Sequence, residues 1–254
     1  MRIDKIRRLQ DGAASENVRR FEAKFRWCYR SVESMIDTHT FLANDTEMLT
    51  YRTHLRESDI TEFKAMNVVV NMAYDAMGSL ISALRLLECG VLADAWSLIR
   101  VAFESACYAE FFALNKSKVE DYIRIGEAIV EDPSTDVRTN IARARLTVQG
   151  VMTSLRERNG QSRMHFYSRL CNFGTHASPV RSGLRMKVDD SEIRSYLSIG
   201  HHELIQGLAD FAATAKYTLG IPFEVWPDLM QRETSLFDQY RSLLEEYRAI
   251  YDLP

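Results

Sequence analysis

Residues 59–114 read DITEFKAMNVVVNMAYDAMGSLISALRLLECGVLADAWSLIRVAFESACYAEFFAL. Asp59-x-x-Glu62 has the spacing of a capping box, which satisfies backbone N–H groups left free at a helix start. From there to Cys89, large apolar residues fall on most faces, among them Phe63, Met66, Val69, Met77, Leu80, Leu84 and Leu87. Gly90 permits the left-handed backbone that ends a helix. A second run, from Val91 to Leu114, is apolar nearly all round, with Trp96, Ile99, Phe103, Cys107, Phe111 and Phe112 as its large members. A helix without a polar face must be buried. Two such helices joined at one glycine predict an antiparallel hairpin at the centre of an all-α bundle.

The flanks predict helices packed on that hairpin. Val18, Phe21, Phe25, Cys28, Val32 and Met35 recur at three- and four-residue steps, predicting a helix over 15–38. The polar, irregular stretch 38–55 reads as a loop with room for one turn of helix. Ser117-x-x-Glu120 reads as a capping box for a short helix that ends at Asp132-Pro133. Further helices are expected over 134–158, 162–175, 189–219 and 227–251, with a basic loop at 178–188 and Pro227 in a first helical turn. One short strand signal lies at 221–225. The expectation is one domain over 1–254 with seven or eight helices: a core over 58–180, and carboxy-terminal helices of 189–251 packed on it.

Composition agrees with this class. Eleven Gly and five Pro among 254 residues favour long helices over a sandwich or barrel. Asn67, Asn71, Asp75 and Arg85 interrupt the most apolar stretch, making it too polar for lipid. Tyr74 and Asp75 are expected as a satisfied polar break in the core, Asp75 pairing with Arg85 or Arg100. The charged start Met1-Arg-Ile-Asp-Lys-Ile-Arg-Arg has no apolar run after it, so no secretory signal is read. Cys28, Cys89, Cys107 and Cys171 form no C-x-x-C pair, which fits a reducing cytoplasm and predicts neither a disulfide framework nor a zinc site. His201 and His202 would point about 100° apart on a helix and so would not chelate one ion. No metal, cofactor, glycine-rich nucleotide loop or membrane partner is expected.

Charge is unevenly placed. Residues 138–187 hold ten Arg or Lys against the single acid Glu157, whereas 188–254 hold twelve acids against five bases. Such asymmetry points to an anionic ligand or to a basic face matched by an acidic one within the chain.

Inside the basic segment lies Tyr167-Ser-Arg169-Leu-Cys-Asn-Phe-Gly-Thr-His176-Ala-Ser-Pro179. Seven residues are about two helical turns, so Arg169 and His176 would share a face. A guanidinium beside an imidazole suits phosphodiester chemistry: Arg169 would bind phosphate and His176 would move a proton. The structural alternative has His176 capping its helix and Arg169 paired with an acid. Arg100 and Glu104, four apart on the central helix, would orient His176, with Tyr167 and Asn172 as further support; alternatively they form an ion pair that holds the hairpin in register. Arg156, Arg158, Arg163, Arg181, Arg185 and Lys187 would supply phosphate contacts to a nucleic acid. They could equally be a solvated face, or one that docks on the acidic carboxy-terminal helices.

The Arg169 to His176 stretch resembles the motif of the HEPN superfamily, all-helical proteins with an arginine, four to six residues, then a histidine. Many members resemble metal-independent ribonucleases of toxin–antitoxin and antiviral systems, in which the motifs of two subunits meet in a cleft. The resemblance implies RNA as partner, a homodimer, and Arg169 and His176 as the catalytic pair. The pattern Leu98-Ile-Arg100-Val-Ala-Phe-Glu104 followed by Tyr167 and His176 is similar to a group of bacterial helical proteins related to HEPN folds, over residues 65–180. In nuclease-competent motifs the residue after the arginine is usually polar; here it is Leu170, which leaves a binding version open. A different class of function also fits the sequence. In it, a non-catalytic helical module engages a protein partner through its amphipathic first and last helices.

Overall fold

A computed structural model of the protein describes residues 3–132, 134, 136–159, 161–174, 186–188, 193–195 and 201–251. The elements in chain order are α1 (Ile3–Arg20), α2 (Glu22–Asn44), α3 (Thr46–Ser58), α4 (Ile60–Glu88), α5 (Leu92–Leu114), α6 (Ser117–Glu131) and α7 (Val137–Arg143). They continue with α8 (Val148–Asn159), α9 (Gln161–Gly174), β1 (Met186–Val188), β2 (Ile193–Ser195), α10 (His201–Val225), α11 (Pro227–Met230) and α12 (Thr234–Tyr251). Apart from the small antiparallel ribbon of β1 and β2, in which Lys187 faces Arg194, the described chain is helical.

α4 and α5 share the most extensive helix–helix contact in the fold. Asp59 caps α4 by accepting from Glu62 N at 3.0 Å, and Gly90 closes it at φ 74°. Ala95, Ala102, Ala106 and Ala109 of α5 are fully buried and let its neighbours approach closely. α10 lies on α5, α4 and α2. A Cβ added at Gly207 would stand 2.8 Å from Leu87 Cδ2, so this glycine sets how closely α10 seats on the end of α4. The buried core runs from Phe25, Trp27 and Cys28 of α2, through α4 and α5, to Leu208 and Phe211 of α10.

The first and last long helices cover each other. Trp27 Nε1 donates to Leu243 O at 2.9 Å, and its ring meets Tyr247 and Tyr251 at 5.4 and 5.8 Å. The apolar stripes expected to receive a partner are therefore used inside the fold. A second, smaller core of Leu42, Met48, Met66, Val70, Phe223 and Met230 ties α3 and α11 to this layer.

The structure departs from the expected elements at several points, and helices exceed the expected seven or eight. The helix over 15–38 is broken at Phe21 (φ −119°, ψ 36°), and its second part runs on to Asn44. The stretch 38–55 is helical: Asp45 leaves the helical region and accepts from Glu47 N at 2.8 Å, starting α3 at once. Ser117 forms no cap, since Lys116 occupies that position and Glu120 pairs with Lys64 instead. The helix over 134–158 is two helices, separated by Arg145 at φ 58° and started by Asp136, which accepts from Thr139 N at 3.1 Å. Ile193–Ser195 is a strand, and the helix expected from Asp189 begins at His201. Residues 221–225, read as a strand signal, continue α10 through Pro222. Tyr74 and Asp75 are exposed and not in the core, because Tyr74 turns outward onto His39, with ring centroids 4.6 Å apart. Arg85 pairs with Glu88 and Asp11, and Arg100 with Glu104, leaving neither to Asp75. Among the described residues no helix is long and apolar enough to cross a membrane.

Candidate functional site

α9 presents two chemically different faces. It packs along α5, as does α10, and a groove lies between α9 and α10. Leu170 points into the core and is fully buried, which accounts for an apolar residue directly after Arg169.

On the face toward α5, Tyr167 Oη donates to Glu104 Oε1 at 3.0 Å, and Arg100 Nη1 lies 3.2 Å from the same oxygen. Three of the residues proposed to support a histidine therefore meet. The ion pair is internal to α5, and through Tyr167 it ties α5 to α9 and not to α4. Burial pushes the Tyr167 phenol up from its ordinary range, helped by Cys171 and Glu104 beside it. Tyr167 thus stands as a neutral donor to the Glu104 carboxylate. Arg100 Nε is buried with no hydrogen-bond partner among the described residues. Asn172 is exposed.

On the face toward α10, Arg169 forms an ion pair with Asp210, whose carboxylate is completely buried while the Arg169 side chain stays 44% exposed. Trp96 Nε1 donates to Asp210 Oδ2 at 2.8 Å and Gln206 Nε2 to Oδ1 at 3.0 Å. Burial raises the Asp210 pKa above the ordinary carboxylate value, with Arg169 opposing that rise. The Arg169 guanidinium also lies 5.1 Å over the centroid of Phe166. One turn and a half earlier on α9, Arg163 Nη1 donates to Glu110 Oε2 at 2.6 Å and Nη2 to Oε1 at 3.4 Å. Tyr217 donates to the same carboxylate, and its ring lies under Arg163 at 4.7 Å.

Arg163, Phe166, Arg169 and Tyr217 are among the residues that line an open groove of about 720 Å³. Phe103, Phe166 and Tyr217 form its apolar wall, with ring centroids of Phe103 to the others 4.9 and 5.5 Å apart. Arg169, the exposed His165 and Lys216 supply its polar side. Lys216 Nζ sits 4.1 Å over the Tyr247 ring. A cationic groove with aromatic walls can receive an anion attached to a planar group.

The remaining candidates are placed as follows. His176, Arg181 and Arg185 lie outside the described residues. Arg156 and Arg158 fall on α8 and Lys187 on β1, where only the backbone is described. Arg163, expected to contact a nucleic acid, is turned inward with only 14% of its side chain exposed. Among the described residues no three His, Cys, Asp or Glu side chains converge as a metal site would need.

His165, Lys216, Tyr217, Glu110 and Asp210 belong to the site and were missed by sequence reading. Two signals were there to use. His165 precedes Arg169 by four residues and so shares its face. Glu110 and Asp210 sit inside strongly apolar helix segments, where a buried carboxylate demands a cationic partner.

Comparison of the chain with models of protein families, with curated proteins and with solved structures returns no match.

Proposed function

We propose that this chain is a HEPN-like RNA-binding protein, with metal-independent cleavage as the activity that Arg169 and His176 would carry. The proposal reads α4 and α5 as the central hairpin of that architecture. The observation that carries it is Arg169: a guanidinium held on one side by a buried carboxylate, yet open to a groove with His165 and Lys216. A buried acid that orients the arginine leaves its remaining N–H groups directed at solvent, where a phosphate would accept them. In this reading Tyr167, Glu104 and Arg100 hold the α9 segment that leads to His176. Two copies would bring their motifs together, as the resemblance implies.

The test uses labelled single-stranded RNA in the presence of chelator. Wild type should bind it, and any cleavage should vanish in an Arg169→Ala/His176→Ala variant. Equal cleavage traces from the two proteins would remove the nuclease; equal binding would remove the role of the groove.

A second reading, a protein-interaction module, is favoured by one specific surface. α6 buries only Val119 and leaves Tyr122 and Val130 exposed, the latter by 82%. Beside them an apolar cavity of about 250 Å³ opens between Ile125, Ile129, Ile141 and Met72. A Val130→Glu variant that loses a copurifying partner while retaining RNA binding would assign partner recognition to α6.

A further inference from the structure

The surroundings of Arg169 leave its side chain 44% exposed. Asp210 takes one edge of the guanidinium, and the Phe166 ring covers one face at 5.1 Å. Part of this flat cation remains open to the groove beside the aromatic ring. Arg163 provides an internal comparison, since its guanidinium is bound by two nitrogens to Glu110 and stacked on Tyr217 with little surface left.

A guanidinium held at one nitrogen by Asp210 can donate to a phosphate from its remaining N–H groups and can also offer its plane to a base. Arginine planes stack on unpaired bases, and contacts with Asp210 and Phe166 restrict where this one can sit. The phosphate of the same nucleotide would meet further polar groups beside Arg169. His165 and Lys216 flank Arg169 from α9 and α10 in the same groove. The volume, about 720 Å³, is in the range that takes a small organic ligand.

We propose that the outward face of Arg169 is a stacking platform for one unpaired nucleobase, with His165 and Lys216 receiving the attached phosphate. The ligand chemistry is an unpaired nucleotide, whether free or part of an RNA strand. The strand case rests on the RNA-binding reading above; the platform itself does not.

Three probes separate these levels: a short fluorescent oligoadenylate strand, an abasic ribose-phosphate strand of equal length and charge, and AMP as competitor. Binding is followed by anisotropy at several salt concentrations. The abasic strand should bind about ten- to a hundred-fold more weakly than oligoadenylate. Arg169→Lys retains the charge and the pairing with Asp210 but loses the plane. It should weaken oligoadenylate binding by a similar factor and weaken the abasic strand far less. Lys216→Ala should weaken both strands alike and lower the salt slope by about one. Thermal melts of each variant report whether the fold is intact.

If the abasic strand binds as tightly as oligoadenylate, or Arg169→Lys costs nothing, the platform is overturned and RNA binding stands. If AMP binds in an Arg169-dependent way and neither strand does, the platform stands and the RNA reading falls. Binding of none of the three removes both.

Discussion

Arg163 and Arg169 lie on one helix, six residues apart, and each meets a buried carboxylate, yet the two pairs have opposite characters. Arg163 with Glu110 is closed: the side chains are 14% and 5% exposed, and Tyr217 donates a further hydrogen bond to the acid. Arg169 with Asp210 is open: the acid is fully buried beneath Trp96 and Gln206, but the guanidinium reaches the groove. The difference teaches that a buried acid can serve two ends. In the first pair it neutralises a charge that the fold has taken in. In the second it holds a charge in place at a surface. Ion pairing alone therefore does not remove Arg169 from consideration as a functional group.

The largest expected effect strikes the closed pair. Glu110→Ala leaves a mostly buried guanidinium and the Tyr217 hydroxyl unpaired, and should cost about 3–5 kcal/mol in denaturant unfolding. Asp210→Ala should cost less, about 2–3 kcal/mol, because Arg169 can turn to water and the Trp96 N–H is the chief buried group left without an acceptor. Equal costs, or the reverse order, would break the distinction between closed and open.

Arginine-to-lysine changes sharpen it further. Arg163→Lys loses two-nitrogen binding and the stack on Tyr217, for an expected loss of about 1–2 kcal/mol. Arg169→Lys should move stability by less than about 1 kcal/mol, in keeping with an exposed partner. Thermal melts of the two variants side by side decide the point; a matching loss at Arg169 would make it a structural residue.

The smallest effect is a pH slope. Burial raises the Asp210 pKa, so the native state takes up this proton at higher pH than the unfolded chain does. In the window just above the ordinary value of 3.8, the native state binds more protons, and this group makes stability fall as pH rises. The stability of wild type relative to Asp210→Asn should therefore decline as the pH rises above the ordinary carboxylate value of 3.8. A relative gain over that range would mean that attraction to Arg169 outweighs burial.

Element type was widely legible in the sequence because apolar periodicity and breakers are local signals. Gly90 ended α4 as expected, and Asp59 capped it. Boundaries were less legible where a polar stretch folded into helix. Residues 38–55 looked like a loop because their apolar members are few, yet Leu42 and Met48 reach a core shared with Phe223 and Met230, far along the chain. Ser117 had cap spacing and was displaced by Lys116, since a chain entering from α5 sets where the next helix begins.

At the site, the sequence by itself determined that α9 is helical and basic, that Arg169 stands on it, and that Arg100 and Glu104 lie one turn apart. Only the tertiary structure decided which arginine faces water. Arg163 and Arg169 are indistinguishable in local sequence, and their fates are set by Glu110 of α5 and Asp210 of α10, 53 and 41 residues away. Desolvation depends on everything packed around a group, and a helix's own sequence cannot report what its neighbours bring to it.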